Sequence, residues 1–144
     1  MGDEFNAGKY GGIVTFVYGV ANAVASKTAE DMTLSDATYN NTLATMPKGG
    51  SVVGVSIQAS AAVTAGSVIF RAHKDGTEFA QSGYPAPTLE SVTNDTESYV
   101  SIRPGVLTFD AGNALGVSYT SDATLAPTNT NDFAAILFVQ LDPN

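Results

Sequence analysis

A chain of 144 residues suits one domain, and area scaling gives it about 7,000 Å² of folded surface against about 21,000 Å² unfolded, enough burial for a core without staples. It has no cysteine, so it builds neither a disulfide framework nor a thiolate metal site. The net charge is −8, and the six basic residues (Lys9, Lys27, Lys48, Arg71, Lys74, Arg103) are scattered along the chain, which argues against nucleic-acid binding and against attraction to an anionic membrane.

Residues 1–12 are Gly-rich and mixed, and read as an N-terminal arm that either docks on its own domain or is clamped by a neighbouring subunit with Phe5 and Tyr10 as apolar anchors. Residues 13–144 read as one domain. Ile13 to Val20 is apolar and precedes Ala23-Val24-Ala25, but the acidic Asp3 and Glu4 ahead of it are wrong for a secretory leader, so a retained terminus and cytoplasmic synthesis are expected. No run approaches the about 20 apolar residues of a membrane span.

Ile13 to Tyr18 is β-branched and aromatic, a strong strand pattern. Thr28 to Leu34 is a weaker one. Ser35 to Met46 is ambiguous between a short helical turn and extended chain, and Pro47-Lys48-Gly49-Gly50 is a break. Ser51 to Ser60 alternates, which places Val53, Val55, Ile57 and Ala59 inward. Val68 to Lys74 is the next strand, ended by the hairpin-type pair Asp75-Gly76. Residues 78–87, with Gly83, Pro85 and Pro87, read as a loop. Thr88 to Thr93 is a modest strand. Tyr99 to Ile102 begins another, which Pro104-Gly105 kinks before Val106 to Phe109.

Asp110-Ala111-Gly112-Asn113 is a turn, because Gly and Asn tolerate left-handed backbone. Leu115, Val117 and Tyr119 then alternate with Gly116, Ser118 and Thr120. A polar loop from Ser121 to Asp132 leads into Phe133 to Leu141. There Phe133, Ala135, Leu137, Val139 and Leu141 share one face, and Ala134, Ile136, Phe138 and Gln140 the other. A strand apolar on both faces is central in its sheet or covered by something else. Ile136 and Phe138 are therefore candidate partner contacts, with a symmetric homo-oligomer as the simplest cover. About eight short strands with no convincing helix predict an all-β fold: an eight-stranded antiparallel jelly-roll β-sandwich with an extended N-terminal arm.

No catalytic signature is present. His73 is the only histidine, no G-x-S-x-G elbow accompanies it, and a solvated strand histidine is the expected role. Asp110, Asp122 and Asp132 fall in loops beside the last two strands, where calcium ligation competes with the commoner task of satisfying turn backbone. Tyr84 and Tyr99 have the chemistry to stack on a sugar, although packing in the loop and in the strand is the favoured reading. No cofactor and no enzymatic activity are expected.

Residues 49–142 resemble the jelly-roll domains of tailed-bacteriophage capsid decoration (cement) proteins and of some phage fibre ends. The resemblance is carried by Gly50-Ser51-Val52-Val53-Gly54-Val55-Ser56, Ala61-Ala62-Val63-Thr64-Ala65-Gly66-Ser67-Val68, Asp75-Gly76, Phe109-Asp110-Ala111-Gly112-Asn113-Ala114-Leu115-Gly116-Val117 and Leu125-Ala126-Pro127-Thr128. It implies a structural virion protein: a homotrimer on the outer surface of the capsid that bridges capsomers and contacts the major capsid protein, with neither nucleic acid nor membrane as a partner. The alternative it carries is a receptor- or glycan-binding module at the end of a phage fibre. Such modules usually follow a long repetitive shaft, so a short chain beginning at its own Met favours decoration.

Overall fold

The structure, a computed structural model, describes residues 12–35, 41–79 and 84–143. The anchors Phe5 and Tyr10 lie outside the described residues.

Among the described residues twelve strands form two antiparallel sheets packed face to face as a jelly-roll sandwich. In chain order they are β1 (Ile13–Val20), β2 (Glu30–Asp31), β3 (Thr33–Leu34), β4 (Ala44–Thr45), β5 (Gly50–Ala59), β6 (Ser67–Lys74), β7 (Thr77–Glu78), β8 (Thr88–Glu90), β9 (Glu97–Ser101), β10 (Leu107–Phe109), β11 (Ala114–Ser121) and β12 (Phe133–Leu141). Sheet A has the order β10-β5-β12-β1-β3, with β9 also on β5. Sheet B has the order β2-β11-β6-β7, with β4 on β11 and β8 on β6. All the expected strand segments are present. The segment 28–34 is divided because it crosses between the sheets: β2 pairs with β11, β3 pairs with β1, and Met32 sits fully buried at the crossing. Thr88 to Thr93 is strand only to Glu90, after which Ser91–Thr93 make one 3-10 turn closed by left-handed Asn94.

The core follows the alternation. From sheet A it takes Tyr18, Val52, Val55, Ile57, Ala135, Leu137 and Val139; from sheet B, Phe70, Leu115, Val117 and Tyr119. Phe133 meets both Phe70 and Tyr119 edge-on, at centroid distances of 5.3 and 5.6 Å. The Tyr18 hydroxyl crosses the core to donate to the Leu115 carbonyl at 2.7 Å, joining the central region of sheet A to sheet B, and burial raises its pKa. One expected phase is wrong. Val52, not Val53, faces the core, because a bulge interrupts the β5–β12 register between Phe138 and Val139. The extra residue, Val53, turns its carbonyl to the Ile102 N–H instead.

The hairpin expected at Asp75-Gly76 joins β6 to β7, with both residues at positive φ. At the opposite end of the sandwich, Asn131 is fully buried within the β11–β12 loop. Its side-chain oxygen accepts from the Ala61 N–H at 3.0 Å and its amide donates to the Ala61 carbonyl at 3.1 Å, which fixes this loop to the β5–β6 connection.

Candidate interaction surface

The strands of sheet A place two sets of side chains back to back. Its outer face, away from the core, is built by register: Phe138 lies opposite Thr15 on one side and Gly54 on the other, and Ile136 lies opposite Val17 and Ser56. Ser56 in turn lies opposite Tyr99 of β9. Ile13, Val17, Ile136, Phe138 and Tyr99 therefore share one surface. Ile13 is 59% exposed and Tyr99 58%, whereas Ile136 and Phe138 are half-buried by their neighbours. Sequence alternation had placed Ile136 and Phe138 together; the structure adds Ile13, Val17 and Tyr99 from strands far away in the chain.

Tyr99 was expected to fill strand space. Instead it lies across Gly54, where a Cβ would come within 2.7 Å of its hydroxyl, and its ring meets Phe138 edge-on at 6.0 Å. The missing side chain at Gly54 is what lets the ring lie flat on the sheet. Between Tyr99, Ser56, Glu97 and Ser98 is an open cleft of about 400 Å³. Tyr84, by contrast, is buried and accepts the Ala72 N–H through its hydroxyl at 2.9 Å, so it presents no face to a sugar.

The outer face of sheet B is polar. His73 is only 3% exposed, which corrects the expectation of a solvated histidine. Its partner across β11 is Gly116, and the absence of a side chain there lets the imidazole lie over the strand toward Asp31 of β2. Nε2 stands 3.4 Å from Asp31 Oδ1, but neither ring nitrogen has a hydrogen-bond partner among the described residues. Burial pushes the His73 pKa down, against the pull of Asp31 and Glu78. Arg71 Nε stands 3.6 Å from Glu78 on the same face.

The three loop aspartates are not brought together. Asp122 accepts from the Ser67 N–H at 3.0 Å and from the Thr124 N–H at 3.0 Å. Desolvation raises its pKa, but these bonds and those from the two hydroxyls outweigh it and hold the carboxyl below its ordinary value. Asp132 accepts from the Asn22 N–H at 2.9 Å. Asp110 lies at the other end of the sandwich, its N–H donating to Asn113 Oδ1 at 2.7 Å. Among the described residues no group of three or more His, Cys, Asp or Glu is placed to hold a metal ion, and no helix is long and apolar enough to cross a membrane.

Together the two sheets and their order define a jelly-roll sandwich in which sheet A carries an apolar outer face. No protein-family model matches the chain, and no curated protein matches it. Solved structures do. A chain of the cyanophage Pam1 capsid asymmetric unit is 12% identical, with 92% of this chain and 86% of that chain covered at a TM-score of 0.51. A chain of the capsid of Ralstonia phage GP4 gives the same identity, coverage and TM-score. At this identity the likeness establishes the fold: this chain has the jelly-roll sandwich found in chains of two phage capsids.

Proposed function

We propose that the chain is a non-catalytic structural component of a bacteriophage virion: a homotrimer that decorates the outer surface of the head and stabilises it by bridging capsomers through the major capsid protein. The observation that carries this reading is the shared fold with chains of two phage capsids. The apolar outer face of sheet A supports the oligomer. The three long strands at its centre, β5, β12 and β1, at about 4.8 Å spacing and about 27 Å of strand length, give a footprint of roughly 400 Å², about half of the 800 Å² or so per partner of a stable interface. Ile136 and Phe138 form its centre, with Ile13, Val17 and Tyr99 around them. The short Ala, Ser, Thr and Gly side chains along these strands lose little entropy on contact. In this reading residues 1–12 act as an arm that reaches a neighbour or the shell, with Phe5 and Tyr10 as its anchors.

Sedimentation equilibrium of the purified chain tests the oligomer. A species of three times the 14.8 kDa chain is expected, and Ile136→Glu with Phe138→Ser should return it to one. A parent chain that stays monomeric at tens of micromolar contradicts the trimer. Removal of residues 1–12 should weaken trimer stability or capsid binding; no change in either would remove the arm from the account.

A second reading, a receptor- or glycan-binding module of a fibre, is favoured by one feature: exposed Tyr99 beside the cleft with Ser56, Glu97 and Ser98. An aromatic face next to hydroxyls and a carboxylate is suited to a sugar ring. Binding on a glycan array that is abolished by Tyr99→Ala would favour this reading over decoration.

A further inference from the structure

Strands β5, β12 and β1 lie side by side in sheet A and contain no charged side chain. In a chain of net charge −8 they form a surface on which two copies meet without like-charge contacts. A ring of three sets a further requirement. Two copies of one flat face laid together are related by a two-fold axis, and that contact stops at two. A three-fold ring is built from two different patches, one offered to the neighbour before and the other to the neighbour after. The centre of the outer face of sheet A, Ile136 and Phe138 with Tyr99 beside them, supplies one patch.

Strand β1 has the properties of the second. Among the described residues its free side is paired only at the far end, where β3 meets Tyr18 and Gly19 and the Ser35 N–H donates to the Val17 carbonyl. From Ile13 to Phe16 no described strand lies alongside. Both faces of this stretch are accessible. Ile13 and Val17 are exposed on the outer side, and Val14 and Phe16 on the inner side are half-buried, whereas Tyr18 further along is fully buried. The strand also lacks the devices that keep an edge from associating: it has no charge, no proline and no break in its pairing with β12. The opposite edge of the sheet, β9, carries Glu97. The other exposed large apolar side chains among the described residues stand singly, Leu43 beside β4 of sheet B, Val92 next to the Glu90–Asp95 turn and Val106 on the turn closed by the Arg103 carbonyl.

We infer that the trimer closes edge to face: the β1 edge of each copy, Ile13 to Val17, seats on Ile136, Phe138 and Tyr99 of the next copy. The inference rests on the trimer reading and names the contact that closes it. Flat plates set face to face stack as a pair. Set edge to face, each plate turns the next through an angle, and three such turns close a triangle. The arrangement also supplies area. The outer face alone falls short of a stable interface, and an edge seated on it covers Val14 and Phe16, which a face-to-face contact leaves outside.

The chain has no cysteine, so introduced thiols report on this contact alone. The test places Ile13→Cys on the edge and Ile136→Cys on the face of the purified chain. Within one copy the two cannot join, because Ile13 lies opposite Gln140, and Gln140 is about 13 Å along β12 from Ile136. On oxidation the double variant should give covalent trimers, and each single variant should stay unlinked. Linked dimers from Ile136→Cys alone, or from Ile13→Cys alone, mean that like patches meet, and overturn the inference. A double variant that sediments as three chains when reduced but does not link on oxidation overturns the inference and leaves the trimer standing. A parent chain that sediments as a monomer overturns the trimer and the inference together. In parallel, Ile13→Lys should raise the concentration at which the trimer dissociates by roughly tenfold, whereas Val106→Lys should change it less than about twofold. Equal effects of the two substitutions contradict the inference.

Discussion

Replacing Gly116 by alanine would put a methyl group into the His73 imidazole. The new Cβ would overlap His73 Cε1, lie 2.9 Å from Nε2 and stand 2.8 Å from the Thr42 carbonyl oxygen. The histidine has little room to yield, because it is 3% exposed and flanked by Asp31 and Glu78, and the carbonyl belongs to backbone. Overpacking of this kind costs about 1–3 kcal/mol, and the backbone contact favours the upper half of that range. For a chain of this length each kcal/mol moves the melting temperature by about 2–4 °C, so a loss of roughly 5–10 °C is expected. Thermal melts by circular dichroism at one fixed protein concentration would measure it, since association shifts the midpoint. His73→Ala in the same chain removes the ring but not the carbonyl. The double variant should therefore be more stable than the sum of the two single effects by about 1–2 kcal/mol. A Gly116→Ala melt within 1 °C of the parent (about 0.3 kcal/mol at this size), or strict additivity in the double variant, would refute the packing described for this face.

Other consequences follow from the same structure. Tyr18→Phe leaves the Leu115 carbonyl without its donor inside the core and should cost about 1–3 kcal/mol in a urea titration; an unchanged midpoint would mean the cross-sheet bond is not formed in solution. The folded pKa of His73 lies below its ordinary 6.5, so the unfolded chain takes up the proton first as pH falls. Its contribution to stability is therefore complete above pH 6.5 and declines below it, and His73→Gln should flatten the dependence of stability on pH just below that value. An unchanged slope in the variant would show that His73 is not the group responsible. Gly54→Ala meets only the swinging end of exposed Tyr99, so it should leave the melting temperature of the dilute chain nearly unchanged while weakening self-association by lifting the ring off the sheet; sedimentation would reveal the second effect.

Period-two alternation made most of the fold legible in the sequence. On β11 and β12 it assigned Leu115, Val117, Tyr119, Phe133, Ala135, Leu137 and Val139 to the core, where they lie. On β5 it placed Val55 and Ile57 correctly and failed only at Val53, for a local reason: a bulge adds one residue to the count, and Ser51-Val52-Val53-Gly54 gives no signal of where the phase will shift. The apolar second face of β12 correctly marked a central strand, since β12 lies between β5 and β1. It could not supply the rest of the surface, because Ile13, Val17 and Tyr99 join Ile136 and Phe138 only through pairing between distant strands. His73 was misjudged because its burial depends on Gly116, 43 positions on along the chain and opposite it only through the β6–β11 register.

Immunogold labelling of intact virions with antibody against this chain tests the account most directly. Label spread over the head is the predicted result. Label confined to the tail or fibre tips would move the chain to host recognition, and virions that carry none of it would contradict a structural role in the particle.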